Sequence, residues 1–197
     1  MESLTYLRRV LAVSQAGLAY AKDRFDVERY QALHDLTVKQ LAAYTDRSVD
    51  QIQAFLQQEA GYPTPKVDVR AFIRRADQVL LVADATGHWA LPGGFAEVGW
   101  TPKANVIKEV HEECGLDVTV SGLRAIYDTA LRPDIPQAFQ YYKLIFACEI
   151  TAGSFEANSE TVGMAWFSLK QLPPLSLKRT TPEQLKQLFA HSELYVD

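Results

Sequence analysis

The stretch from Gly94 to Leu116 constrains this chain more than any other. It reads as a glycine-rich loop followed by one short, well-punctuated helix. Thr101 is an acceptable N-cap, and Pro102 suits the first helical position, where its missing N–H costs nothing. Gly115 suits a left-handed cap after the last turn. At about 100° per residue, Ala104, Ile107, Val110 and Cys114 fall on one side. Glu109, Glu112 and Glu113 fall within an arc of roughly 100° on the other. Carboxylates at i, i+3 and i+4 repel one another by roughly 0.2–0.5 kcal/mol per pair on an exposed helix. A hard cation reverses that sign, and Mg²⁺ commonly bridges a carboxylate to a substrate phosphate. A Glu-rich face taken alone is most often a solvated surface. The preceding Leu91-Pro92-Gly93-Gly94, which lets backbone approach a ligand closely, makes the joint pattern more specific.

The rest of the chain sets bounds. Its 197 residues allow one generous domain, or a standard domain with a small companion. With 48% hydrophobic and 22% charged residues it is ordinary globular material, and a net charge of −4 argues against nucleic acid or an anionic membrane as main partner. The opening Met1-Glu2-Ser3-Leu4-Thr5 lacks a signal-peptide pattern, and no apolar run reaches the roughly 18–20 residues of a membrane span. Of the two cysteines, Cys114 lies in the acidic helix and Cys148 in an expected strand. A disulfide framework is not expected, and a reducing cytoplasm is the expected location.

The pattern changes near residue 62. Before it the chain reads as helices over about 2–18 and 26–44, and a third opened by a Ser48–Gln51 capping box and stopping near Gly61. Tyr62-Pro63-Thr64-Pro65 then makes an extended linker. Strands are expected at Val67–Ile73, Val79–Val82, Leu123–Asp128, Tyr141–Glu149 and Ala165–Phe167. Two domains follow from this, 1–62 helical and 63–197 mixed α/β.

Gly94-x5-Trp100-x7-Lys108-Glu109-Val110-x-Glu112-Glu113-x-Gly115-Leu116 resembles the Nudix box, Gly-x5-Glu-x7-Arg-Glu-U-x-Glu-Glu-x-Gly-U with U aliphatic. It departs from that pattern at Trp100, where the box has Glu, and at Lys108, where it has Arg. The resemblance implies an α/β/α sandwich with a mixed sheet, behind a small all-helical domain. It implies hydrolysis of a nucleoside diphosphate linked to another group, with Mg²⁺ or Mn²⁺ held by Glu109, Glu112, Glu113 and the backbone of Gly94. One of these acids would also orient or deprotonate the attacking water. Without the acid–Arg pair the loop needs another clamp, which Trp100 packing could supply; the nearby Glu97 either contributes directly or through water, or is an ordinary loop carboxylate. Gly17-Leu18-Ala19-Tyr20 through Tyr30, Pro63 through Arg70, Trp89 through Gly94 and Leu172 through Ser176 resemble a bacterial subgroup described as ADP-ribose or CDP-choline pyrophosphatases. In that subgroup an acid stands at the place of Glu160, which makes Glu160 a candidate general base or extra metal ligand; a plain loop Glu is the alternative.

Other candidates carry equally plain alternatives. Arg70, on the first strand, is either a phosphate contact or a surface strand arginine. Trp89, Phe139, Tyr141 and Trp100 could stack on a nucleobase, or simply pack. Arg132, in the insert 129–137, could meet a second phosphate or a ribose hydroxyl. The four histidines show no ligand spacing, and His111 is expected near the apolar side of its helix. The helical domain is too small for a comfortable core of its own, which suggests a homodimer. Two functions remain open: a metal-dependent hydrolase of a small nucleoside diphosphate derivative, and a non-catalytic nucleotide sensor relaying binding through the helical domain.

Overall fold

The computed structural model describes residues 3–57 and 61–197. The chain divides into two compact units, Met1–Lys66 with Asp128–Tyr141, and Val67–Tyr127 with Tyr142–Asp197.

The first unit is built on α1 (Ser3–Tyr20), α2 (Arg24–Tyr44) and α3 (Val49–Leu56). Each start has a local cause. The Asp23 carboxylate accepts from the Phe25 and Asp26 N–H groups ahead of α2, and Ser48 and Gln51 form a reciprocal capping box at α3. The third helix ends at Leu56, short of Gly61; the expected extension runs into 58–60, which lie outside the described residues. Leu11, Val38, Leu41, Ile52 and Leu56 form its core together with Ala138, Phe139 and Tyr141 from the later segment. Phe139 stacks on Phe55 with ring centroids 4.0 Å apart, and Arg8 donates to the Gln137 carbonyl.

The second unit is a mixed sheet with a helix on each face. Its strands are β1 (Lys66–Arg75), β2 (Gln78–Ala83), β3 (Trp89–Ala90), β4 (Leu116–Asp128), β5 (Tyr141–Gly153), β6 (Gly163–Ser168) and β7 (Tyr195–Val196). They are ordered β3-β2-β1-β5-β4-β7, with β6 on the other side of β2. The β2 pairings with β1, β3 and β6 are antiparallel, and β4–β7 is parallel. Alternation along the strands assigns the two faces. Val69, Ala71, Ile73, Leu80, Val82, Phe146 and Cys148 pack with Val106, Val110 and Cys114 of α4 (Pro102–Cys114). Phe72, Val79, Leu81 and Ile145 pack with Leu185 and Leu188 of α5 (Pro182–Ala190). The thiols of Cys114 and Cys148 are free and buried, and burial pushes both up to about 12.

Four elements were not expected from the sequence: β3, the first half of β4, α5 and β7. The helix α4 begins and ends as its caps dictate. Thr101 accepts from Ala104 N–H, Pro102 opens the first turn, and Gly115 is left-handed at φ 66°. Its buried face is rotated from the expected one, however. Asn105, Val106, Val110, Glu113 and Cys114 are buried, while His111 is exposed and faces Asp117 at 3.1 Å, not the apolar side. Thr101→Ala should lower unfolding stability by about 1 kcal/mol in urea denaturation. A variant as stable as the wild type would remove the cap from the account of where this helix starts.

Candidate active site

The glycine loop is laid down as an extra strand beside β1. Val69 N–H donates to Gly94 O at 2.8 Å, Ala71 N–H to Pro92 O at 2.9 Å, and Ala96 N–H to Val67 O at 2.9 Å. Glycine is required at two places. Gly93 has φ 136°, and a Cβ there would overlap the Val69 carbonyl. A Cβ on Gly94 would lie 2.6 Å from Glu109 Oε2, so the missing side chain is the space the Glu109 carboxylate fills. On its other side the loop meets α4, where Gly93 N–H donates to Glu113 Oε2 at 2.7 Å.

The three helix acids therefore occupy three environments rather than one solvated face. Glu113 is buried, and burial pushes its carboxyl up, opposed by Arg70 and the Gly93 N–H. Glu109 is half-buried and is pushed up to about 7, first by desolvation and then by the charge of Glu113. Glu112 is exposed and pairs with Lys108 at 2.5 Å. Among the described residues no three His, Cys, Asp or Glu side chains already converge as a metal-binding group. Glu109 and Glu113 nonetheless supply adjoining carboxylates, partly stripped of water and lacking an equal countercharge. That donor set fits a hard divalent cation. Gly94 O, engaged once by Val69, keeps a second lone pair.

The loop clamp is polar, and it is not Trp100. That side chain is 50% exposed. Lys108 Nζ instead reaches Glu97 Oε1 at 3.1 Å as well as Glu112, and these two hydrogen bonds, Glu112 first, push its ammonium up to about 12. The buried Asn105 amide adds two more ties, accepting from Glu97 N–H at 2.9 Å and donating to Phe95 O at 3.3 Å. Asn105 escaped the sequence reading. Its signal was a neutral polar residue beside Val106, on the same buried face as Val110 and Cys114.

Beneath the loop lies a buried charge group that the sequence reading also missed in part. Arg70 Nε and Nη2 bond Asp68 Oδ1 and Oδ2 at 2.7 and 3.2 Å, Arg70 Nη1 donates to Leu91 O at 3.1 Å, and Lys143 Nζ meets Asp68 Oδ2 at 2.9 Å. Burial alone would raise Asp68, but its two cations outweigh it and hold the carboxyl low. Burial lowers Lys143. Arg70 is thus not a surface strand arginine; it sits under Glu113 and Glu109, whose charges it feels.

A second loop approaches α4 from the chain beyond β5. Asn158 Nδ2 donates to Glu112 O at 2.8 Å, while Asn158 Oδ1 accepts from Glu160 and Thr161 N–H. This places the exposed Glu160 where its charge raises Glu113. Trp89 packs edge-on against Phe167, with centroids 4.8 Å apart, in the α5-side core. Arg132 and Tyr141 belong to the helical unit. Arg132 is held by Asp134 at 2.9 and 3.1 Å, and Tyr141 is buried in that unit's core with Phe139. Asp68→Asn should strand Arg70 and Lys143 without a countercharge and cost about 3–5 kcal/mol in urea denaturation. A loss below about 1 kcal/mol, the scale of an exposed pair, would contradict the structural weight given to this group.

Comparison with known proteins identifies the family. Residues 64–190 match the NUDIX domain family, and residues 2–56 match the family described as "UDP-X-like, N-terminal oligomerisation domain". YjhB of Bacillus subtilis (strain 168), named provisionally as an ADP-ribose pyrophosphatase, is 45% identical over 92% of this chain and 88% of its own length. A crystal structure of a UDP-X diphosphatase is similar at TM-score 0.66 and 38% identity, covering 98% of this chain and 97% of that one. A crystal structure of an ADP-ribose pyrophosphatase from Streptococcus suis 89-1591 is similar at TM-score 0.61 and 43% identity, covering 68% of this chain and all of that one. This chain is a member of the Nudix hydrolase family, with a UDP-X-like N-terminal domain.

Proposed function

We propose that the chain hydrolyses the pyrophosphate linkage of ADP-ribose or a similar nucleoside diphosphate derivative, using Mg²⁺ or Mn²⁺ held by Glu109, Glu112, Glu113 and the Gly94 carbonyl. The observation that carries this reading is Glu113, buried and oriented by Gly93 N–H, with the Glu109 carboxylate pressed into the space above Gly94. The relatives named for ADP-ribose support the adenosine form, and the UDP-X diphosphatase keeps a uridine diphosphate derivative as the second reading. CDP-choline stands behind both. Relatives named by hydrolytic activity favour catalysis over ligand sensing.

The bound cation would neutralise diphosphate charge and lower the pKa of a coordinated water. The chain's own groups do the rest. Gly93 N–H fixes the Glu113 carboxylate, and Arg70 steadies it from below. Lys108, with Glu97, holds Glu112 and the loop in register. Glu160, whose charge acts on Glu113 and which is open to solvent, would take the proton of the attacking water. Water adds to one phosphorus, the anhydride P–O bond breaks, and a nucleoside monophosphate and a phosphorylated product leave. Trp89, Arg132 and Tyr141 have the weaker case as substrate contacts, since each already has a partner within its own unit.

We also read the chain as a homodimer through its helical unit. Tyr6, Val13 and Tyr20, spaced by seven on α1, are all exposed and share one helix face. Two free, buried thiols accord with a reducing, cytoplasmic setting.

A product screen over ADP-ribose, UDP-sugars, CDP-choline and nucleoside triphosphates should give turnover only with Mg²⁺ or Mn²⁺ and none in excess chelator. Glu113→Gln should lower kcat by about 10²–10⁴-fold with an unchanged melting profile. Undiminished turnover in that variant would reject the site. A single monomeric boundary in sedimentation at micromolar concentration would reject the dimer.

A further inference from the structure

Two cations act on Glu113, Arg70 and Arg179. They differ in what they are free to do. Arg70 is buried and tied to Asp68 and the Leu91 carbonyl, so it cannot turn toward a ligand. The side chain of Arg179 is 44% exposed, and its ion pair with Asp84 Oδ2 is long, 3.8 Å, beyond hydrogen-bond reach. The other Asp84 oxygen is already taken by the Thr86 N–H and hydroxyl and by His88 N–H. The Arg179 charge also reaches the buried Lys143.

The backbone that carries Arg179 is fixed to the glycine loop. Arg179 and Thr180 N–H both donate to Ser176 O at 2.8 Å, and Ser176 N–H donates to Trp89 O at 2.8 Å. Thr180 is fully buried, and its Oγ1 accepts from Leu91 N–H at 2.9 Å, two residues before Gly93. The segment thus places a guanidinium, still largely unused, beside the acids and in register with the loop that orients them. Its planar fork suits two oxygens of a phosphoryl group.

We propose that Arg179 is a substrate contact of this site, donating to phosphoryl oxygens of the nucleoside diphosphate beside Glu113. This rests on the proposed hydrolase reading for the identity of the substrate, but not for the presence of an anion contact. In the bound state Arg179 exchanges its long pair with Asp84 for charge-assisted hydrogen bonds to the diphosphate, while the acids opposing it in charge stay with the cation.

The test compares the full-length wild type with Arg179→Ala, Arg179→Lys and Asp84→Asn. Each is titrated with ADP-ribose by calorimetry, with Ca²⁺ in place of Mg²⁺, and then assayed for ADP-ribose hydrolysis with Mg²⁺. Arg179→Ala should weaken binding by about ten- to a hundredfold, and Arg179→Lys should restore only part of it. Asp84→Asn removes the same ion pair but keeps the guanidinium, and should stay within about threefold of wild type. Equal losses in Arg179→Ala and Asp84→Asn would show a merely structural pair and overturn the proposal, as would unchanged binding in Arg179→Ala. Turnover by the wild type with unchanged binding in Arg179→Ala removes this contact and leaves the hydrolase reading standing. The expected binding pattern without any turnover does the reverse. A wild type that neither binds nor cleaves ADP-ribose overturns the adenosine form of the hydrolase reading and, with it, Arg179 as a contact to that substrate.

Discussion

The hydrogen bond from Gly93 N–H to Glu113 Oε2 is the joint on which this site depends. It requires a helix carboxylate to enter the protein interior and a strand-like loop to turn its backbone outward at φ 136°. Both are unfavourable alone. A buried carboxylate loses hydration, and only glycine can take that backbone conformation against the Val69 carbonyl. Together they offset one another, and the neighbouring Arg70 supplies the remaining countercharge. The result is a carboxylate with a fixed position and a fixed orientation, which a flexible surface Glu would not have.

The electrostatics are layered around that joint. Asp68, Arg70 and Lys143 lie buried as a group with one surplus positive charge. Above them lie Glu113 and Glu109, and desolvation first, then the charge of Glu113, pushes the Glu109 carboxyl up to about 7. Glu112 is drawn outward by Lys108. A divalent cation at the proposed site would relieve a repulsion already built in. The same repulsion explains the ties on the loop. Asn105 and the Glu97–Lys108 pair hold the loop against α4, so the acids cannot relax by moving it away.

Much of this was legible in the sequence, for identifiable reasons. The α4 caps are local chemistry, so Thr101, Pro102 and Gly115 gave its ends correctly. The Ser48–Gln51 box did the same for the start of α3. The mixed α/β class followed from strands on either side of one central helix, and the family from the resemblance of Gly94 through Leu116 to the Nudix box. What could not be read was depth. Helical periodicity put Glu109, Glu112 and Glu113 on one arc, but the position of β1 and the loop decides which is buried. The missing box acid is another case. Trp100 drew attention because it sits at the departing position, yet the compensation comes from Glu97 and Asn105, whose roles depend on how the loop folds back. The Thr181–Gln184 capping box of α5 was present in the sequence and overlooked. The first half of β4 alternates buried and exposed residues, but the polar members Asp117 and Thr119 obscured it. Trp89, Arg132 and Tyr141 each have a partner within their own unit, which aromatic or cationic character alone did not reveal.

The most direct test of the central claim is anomalous diffraction from crystals soaked in Mn²⁺. The expected result is a peak at direct-ligand distance from both the Glu109 and Glu113 carboxylates, with Glu113 still accepting from Gly93 N–H. Manganese bound only at exposed acids such as Glu112, with Glu109 and Glu113 left without it, would contradict the account.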